Sequence, residues 1–166
     1  MQTTLPSGIY LTRMEVKNQS PSVTCNYVRR GESIWFSDPN TGEVKKLRSK
    51  DYFGYVENSQ FYLSDNINQP TLESGTYIYY ARKRVNFGYP ANHSGFQLLP
   101  HFYAYDKDLI LNVQNGKKVK GSRHQLKKIL KNYDLELFAE FKNDKWYKKD
   151  VRTYIHKFNN RNPLEN

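Results

Sequence analysis

Side chains that could carry acid–base or metal chemistry are few in this sequence, and they lie far apart. The four histidines, His93, His101, His124 and His156, form no HxH or HxxxH pair, and the single cysteine, Cys25, lies near none of them. A metal site would therefore need ligands from distant segments, and one cysteine forms no intramolecular disulfide. The pattern predicts neither a metal site nor a cofactor.

The nearest arrangement to a catalytic cluster is the polar segment YPANHSGF, which contains His93 and Ser94. A serine nucleophile needs a separately placed base and an oxyanion hole, which adjacent residues rarely provide. Asp106 and Asp108 in YDKDL lack the ligand series and the glycine of a calcium loop, so we expect a tight turn there. No catalytic residue is predicted. An enzyme whose site is assembled at long range around His93 or His101 is the last of three hypotheses.

Aromatic side chains are a more prominent feature, with 14 Tyr, 9 Phe and 2 Trp among 166 residues. They concentrate in the β-rich part of the chain, where one face of a sheet could present tyrosines to a partner. Our first hypothesis is a non-enzymatic binding or structural module that recognises a protein or a glycan through this tyrosine-rich β surface. The predicted ligand-binding residues are Tyr52, Tyr55, Tyr62, Tyr77 and Tyr79.

Positive charge is concentrated near the C-terminus. Residues 117–166 carry 14 Lys/Arg against 6 Asp/Glu, whereas residues 1–116 carry 12 against 10. Such asymmetry indicates an anionic partner or, more simply, a lysine-rich solvated helix surface. Our second hypothesis is a basic nucleic-acid-binding protein that uses these cations. The predicted contacts are Lys127, Lys128, Lys131, Lys148, Lys149 and Arg152.

The first two thirds of the chain have the composition of β-strands separated by turns, because β-branched and aromatic runs alternate with Gly, Pro and Asn. DPNTGE (38–43) predicts the turn of one hairpin, ENS (57–59) that of a second, and DKD (106–108) joins the last two strands. The predicted strands are 8–12, 22–28, 33–37, 44–47, 51–56, 60–63, 75–85, 96–105 and 109–113.

From Lys117 onward the hydrophobic period is that of helices. After Ser122, a predicted N-cap, apolar residues recur at i, i+3, i+4 and i+7. Two further amphipathic runs follow, around 137–141 and 151–158, and Pro163 prevents continuation of the last one.

These patterns predict an α+β fold. We expect an antiparallel β-sheet or partly open barrel over residues 8–113, followed by two or three C-terminal helices within 117–160. No Gly/Ser-rich or Pro-rich linker separates the parts, so residues 1–166 are expected to form a single domain with the helices packed on the β-rich part. No apolar run approaches the roughly 20 residues that cross a bilayer, so no membrane span is expected.

Three stretches together resemble a known group of proteins: GIYLT…NQSPS (8–22), FGYVENSQFYL (53–63) and LKKILKNYDLELFAEF…VRTYIHKFNNRNPL (126–164). The combination resembles uncharacterised bacterial proteins that are regarded as exported and have a β-rich front part and a short helical tail. The resemblance implies a periplasmic or secreted protein and no defined activity. The N-terminus has no visible signal peptide, and a cytoplasmic location is the alternative. The framework residues of the resemblance are Gly8, Tyr10, Pro21, Gly54 and Tyr62.

Overall fold

The computed structural model describes residues 5–88 and 101–164, with the backbone alone described at 84–88, 101–105 and 147. The strands are β1 (Gly8–Tyr10), β2 (Tyr27–Arg30), β3 (Ser33–Ser37), β4 (Val44–Arg48), β5 (Gly54–Glu57), β6 (Gln60–Leu63), β7 (Tyr77–Gly88), β8 (His101–Asn112) and β9 (Lys118–Lys120). The helices are α1 (Arg13–Lys17), α2 (Arg123–Tyr133), α3 (Leu135–Asn143) and α4 (Val151–Arg161), with a 3₁₀ turn at Trp146–Lys148.

The strands form three small antiparallel sheets rather than one. Their strand orders are β1-β5-β6, β2-β3-β4 and β7-β8-β9. The predicted α+β class is confirmed, and the strands within the described ranges close no barrel. Two elements were not predicted: the short helix α1, and β9, which lies in the part expected to be helical.

The three sheets and the C-terminal helices stack as four layers. Side chains alternate along the first half of β7, so that Tyr77 and Tyr79 pack against α2, α3 and α4 while Ile78 and Tyr80 pack against the β1-β5-β6 sheet. The opposite face of β1-β5-β6 packs against β2-β3-β4 in a core that contains Ile34. Both faces of the β1-β5-β6 sheet are therefore buried.

The aromatic hairpin β5–β6 supplies side chains to both of these cores. Tyr55 and Tyr62 stack with ring centroids 5.0 Å apart on the face toward β2-β3-β4, whereas Val56 and Phe61 lie on the opposite face. The connecting residues Asn58–Ser59 have φ values of 50° and 59°, as a type I′ hairpin turn requires. The predicted hairpin is confirmed, and burial on two sides accounts for its aromatic residues on both faces.

The other predicted hairpin is also confirmed, since β3 pairs with β4 along its whole length around the turn at 38–43. The strand that precedes it was predicted to begin at residue 22, but β2 begins at Tyr27. Val23 instead forms a single antiparallel bridge with Ile9 of β1. The segment between β1 and β2 thus links the first and second sheets.

The turn expected at 106–108 is wrong, because β8 runs through these residues without interruption. Asp106 lies opposite Lys83 of β7, and an opposite-charge pair across two strands stabilises the ladder. The carbonyl of Asp108 accepts a hydrogen bond from Gly121 N at 2.7 Å. The charged tripeptide is therefore part of a long β7–β8 hairpin.

Side-chain caps begin all three C-terminal helices. Ser122 Oγ accepts a hydrogen bond from Gln125 N, as predicted for α2, and Asp134 and Asp150 cap α3 and α4 in the same way. The apolar stripe of α2 is buried except for Tyr133, which is 59% exposed. No helix within the described ranges has the length and apolar character to cross a membrane.

An asparagine side chain attaches α4 to the edge of β7. Its amide forms the pair of hydrogen bonds that the backbone of a neighbouring strand would form. Asn159 Oδ1 accepts a hydrogen bond from Tyr77 N at 2.9 Å, and Asn159 Nδ2 donates one to Tyr77 O at 2.8 Å. Residue 75 must be small here, because a Cβ on Gly75 would lie 2.7 Å from Asn159 Cγ. Next to this contact, Glu73 forms an antiparallel bridge with Tyr79. Together these contacts pair backbone groups along the outer edge of β7.

Candidate functional site

The predicted tyrosine surface lies mainly inside the protein. Tyr52 and Tyr55 belong to the core between the β1-β5-β6 and β2-β3-β4 sheets, and Tyr77 and Tyr79 belong to the core beneath the helices. Tyr62 is the one partly exposed member of the set, and its ring stacks on Tyr55. Among these five residues, only Tyr62 is more than slightly exposed, although Tyr77 also lines the groove between α2 and β9.

Burial also raises the pKa of the four buried phenols. Desolvation raises the pKa of Tyr77 to about 12, and it raises the pKa of Tyr52, Tyr55 and Tyr79 as well. These four side chains stay neutral near pH 7 and serve as packing groups.

The six predicted nucleic-acid contacts are divided among several surfaces. Lys127 and Lys149 line one cleft, whereas Lys128 faces a separate groove between α2 and β9. Arg152 pairs with a buried carboxylate that holds α4 in place. The two remaining residues, Lys131 and Lys148, are exposed.

The cleft that contains Lys127 and Lys149 lies between the start of α2, the end of α3 and the 3₁₀ turn. It has a volume of about 250 Å³. Five of its lining side chains are cationic or imidazole groups, and none is acidic. We call it the basic cleft, and its lining residues are Arg123, His124, Lys127, Phe141, Lys142, Trp146 and Lys149.

Arg123 fixes the geometry of the basic cleft. Its guanidinium carbon lies 3.9 Å from the centroid of the Trp146 ring, well within cation–π range. Its Nε donates a hydrogen bond to the carbonyl oxygen of Lys149 at 2.7 Å. The first turn of α2 is therefore tied to both ends of the 3₁₀ segment. Trp146 is nevertheless 72% exposed, so most of the indole remains in contact with solvent.

The floor of the basic cleft is apolar, and its rim is basic. Phe141 is buried and packs edge-on against Tyr154 of α4, with ring centroids 5.0 Å apart. Lys149 Nζ lies 5.2 Å from the Phe141 centroid and donates a hydrogen bond to the carbonyl of Lys142 at 3.2 Å. The ammonium group of Lys149 thus lies beside the apolar floor and is held there by the Lys142 carbonyl.

The positive charge of the basic cleft is not neutralised by neighbouring carboxylates. Within the part of the chain that the structure describes, none of its five basic side chains has a carboxylate oxygen within 4.0 Å. Other helical cations are paired, as Lys157 is with Glu140 and Arg161 with Asp134. The N-terminal end of α2 adds the partial positive charge of its helix dipole. An anion is therefore the ligand that this electrostatic arrangement favours.

Sequence reasoning identified only part of the basic cleft. Arg123, Lys142 and Trp146 were not predicted as site residues, because α2 and α3 separate Arg123 from Trp146 along the chain. The one local signal is KWYKK (145–149), in which a tryptophan lies among lysines.

Neither histidine of the enzyme hypothesis has a described side chain. His93 lies outside the described residues, and His101 is described by its backbone alone, as the first residue of β8. His156 Nδ1 lies 3.1 Å from Glu73 Oε2 and belongs to the contact between α4 and the residues before β7. In the described ranges, no three His, Cys, Asp or Glu side chains are grouped as metal ligands would be.

Two other clefts differ in chemistry from the basic cleft. A polar pocket of about 270 Å³ carries both charges, with Asp65 and Arg82 in its wall. A shallow cleft on the outer face of β2-β3-β4 is lined by Trp35 and the exposed Val28, with Arg30 as its cation. Among these clefts of the described residues, the basic cleft has the most positive charge beside an exposed aromatic ring.

Comparison of the chain with protein-family models, with curated proteins and with solved structures finds no match. Membership of the exported bacterial group that the sequence resembles therefore stays a prediction.

Proposed function

We propose that the protein binds nucleic acid and that the basic cleft contacts its phosphate groups. The observation that supports this proposal is the lining of one cleft: five cationic or imidazole side chains, no carboxylate and an exposed indole. Arginine and lysine are the common phosphate-binding side chains, and aromatic rings beside them are typical of nucleic-acid grooves.

Arg123 is held in place and still has donors to offer. Its Nε bonds to the Lys149 carbonyl, whereas its two Nη groups have no hydrogen-bond acceptor among the residues that the structure describes. A guanidinium that is fixed before binding loses little conformational entropy when a phosphate approaches.

Two of the exposed lysines predicted from the sequence extend this surface. Lys131 lies one helical turn beyond Lys127 on α2, and Lys148 lies in the 3₁₀ turn beside Trp146. Both side chains are exposed. They would contact phosphates on either side of the one that occupies the cleft.

The test is fluorescence anisotropy with a labelled oligonucleotide at a series of salt concentrations. Because each phosphate contact releases condensed counterions, the logarithm of the affinity should fall linearly with the logarithm of the salt concentration, by roughly 0.7 per contact for a single strand. Binding without such a slope, or no binding near 0.05 M salt, would refute the proposal.

A matched pair of variants on α2 localises the contact. Lys127→Gln removes a cation that lines the basic cleft, whereas Lys128→Gln removes its neighbour, which faces the groove beside β9. We expect the first variant to bind several-fold more weakly, with a salt slope smaller by roughly 0.7, and the second to bind nearly as the unaltered protein does. Equal losses in both variants would indicate general attraction to the helical part.

A protein or glycan partner of the β-rich part stays a prediction. Four of its five proposed tyrosines are buried, whereas Val28, which lines the cleft with Trp35, is 58% exposed. Trp35→Ala should leave nucleic-acid affinity unchanged if the basic cleft is the binding site.

A further inference from the structure

We propose that Trp146 stacks with an unpaired nucleobase, so that the ligand of the basic cleft is single-stranded nucleic acid. This inference rests on the proposed function and adds the strand type to it. Its starting point is an indole that is 72% exposed and yet held in a fixed position.

The fixed position of Trp146 comes from contacts on one side of the ring. The Arg123 guanidinium lies 3.9 Å from the ring centroid, and the same side chain is hydrogen-bonded to the Lys149 carbonyl. The backbone at Trp146 belongs to the 3₁₀ turn, which Lys149 N closes with a hydrogen bond to the Trp146 carbonyl at 3.2 Å. An aromatic ring ordered in this way provides a preformed stacking surface at little entropic cost.

The surroundings of the ring match a nucleotide, which combines an apolar base with an anionic phosphate. Cationic side chains of the basic cleft flank the indole, and no carboxylate lines the cleft. A base on the exposed part of the indole would extend the Arg123–Trp146 stack by one layer. Its phosphate would then lie beside the first turn of α2, where Arg123 Nη donors and the helix dipole favour an anion.

The preference for single-stranded over duplex nucleic acid follows from which bases can reach the ring. In a duplex both faces of each internal base are already stacked on its neighbours, so insertion of Trp146 would require unstacking. In a single strand the bases are free to stack on an aromatic side chain, whatever their identity. We therefore expect preference for single strands with little sequence specificity.

The test uses Trp146 as its own reporter. Trp35→Phe leaves Trp146 as the one tryptophan of the chain. In this background we would titrate an oligothymidylate and an oligonucleotide of equal length made of abasic sites, at the same salt concentration. The two probes carry the same phosphates, but only the first has bases.

We expect oligothymidylate to quench the Trp146 fluorescence and to bind more tightly than the abasic strand. Since removal of one stacking aromatic residue costs a single-strand-binding protein about 5- to 140-fold in affinity, the difference between the probes should fall in this range. In Trp146→Ala the difference should vanish, while Trp146→Phe should retain most of it. A circular-dichroism melt of each variant verifies that folding is unchanged, as expected for an exposed side chain.

The outcomes separate this inference from the proposed function. Equal affinity for the two probes, with no quenching by either, would overturn stacking on Trp146 and leave phosphate binding in place. A duplex of equal length that binds more tightly than the single strand would also overturn the inference. Failure of both probes to bind at low salt would overturn the proposed function together with the inference.

Discussion

Replacement of Asn159 by alanine should detach α4 from the edge of β7. Asn159 is 8% exposed, and its amide forms hydrogen bonds with both backbone groups of Tyr77, at 2.9 Å and 2.8 Å. Without the amide, a buried N–H and a buried C=O lose their partners, each at a cost of about 1–3 kcal/mol. Water that enters the vacated space recovers part of this cost, so we expect the free energy of unfolding to fall by about 2–4 kcal/mol.

Urea unfolding, followed both by far-UV circular dichroism and by tryptophan fluorescence, measures this change. The control is Asn160→Ala, which alters the adjacent exposed residue and should cost less than about 0.5 kcal/mol. A loss below about 1 kcal/mol in Asn159→Ala would refute the strand-like role of the amide. Two separate transitions in the unaltered protein would contradict the prediction that residues 1–166 form one domain.

Gly75 provides an independent check of the same contact. A Cβ at this position would lie 2.7 Å from Asn159 Cγ, so Gly75→Ala alone should destabilise the protein by about 1–3 kcal/mol. In the Asn159→Ala background the contacts with Cγ and Nδ2 are removed, whereas the contact with the Cβ of residue 159, at 2.9 Å, remains, so the second substitution should cost less than it does alone. The double-mutant cycle should therefore give a coupling energy of about 1 kcal/mol or more, and strict additivity would argue against direct contact.

Two further predictions concern charge. Arg152→Ala removes the guanidinium that pairs with Glu73, a carboxylate that is 6% exposed, and should lower the free energy of unfolding by about 1–2 kcal/mol in urea titrations while changing nucleic-acid affinity less than about twofold. A loss of affinity of about twofold or more would indicate that Arg152 belongs to the binding surface. Burial raises the pKa of Tyr27 and Tyr77 from 10.0 to about 12, so their contribution to stability is complete below pH 10 and is lost as the pH rises through 12. The melting temperature should therefore fall between pH 10 and pH 12, while tyrosinate absorbance at 295 nm rises as the phenols lose their protons. A constant melting temperature over this interval would contradict the burial of these phenols.

Local sequence patterns predicted the elements whose determinants are local. The β3–β4 and β5–β6 hairpins depend on their own turn residues, and the cap of α2 depends on Ser122 and the residue three positions on. The turn at 106–108 was predicted wrongly because Asp106 and Asp108 resemble turn residues in isolation. Their place in a strand depends on Lys83 opposite Asp106 and on Gly121, which bonds to Asp108, and both are distant in the chain.

The site was harder to predict than the fold. Aromatic residues on both faces of β5–β6 are compatible with an exposed tyrosine surface and with burial between two sheets, and only the stacking of the sheets decides between them. Likewise, a count of lysines gives the charge of the helical part but not its distribution. Arg152 and Lys127 are equivalent in the sequence, yet the first is in an ion pair and the second lines the basic cleft.

The Asn159 contact also has a consequence for the chain while it is being synthesised. The strand that it covers contains YIYYA (77–81), a segment rich in aromatic and β-branched residues and without charge, which would template intermolecular β-pairing if its edge were open. Glu73 already covers Tyr79 on this edge, but the residue that covers Tyr77 lies in the last helix. It is synthesised more than 70 residues later, after about 4–15 s at usual elongation rates. Truncation before α4, or stalled synthesis, should therefore give an aggregating protein rather than a smaller folded one.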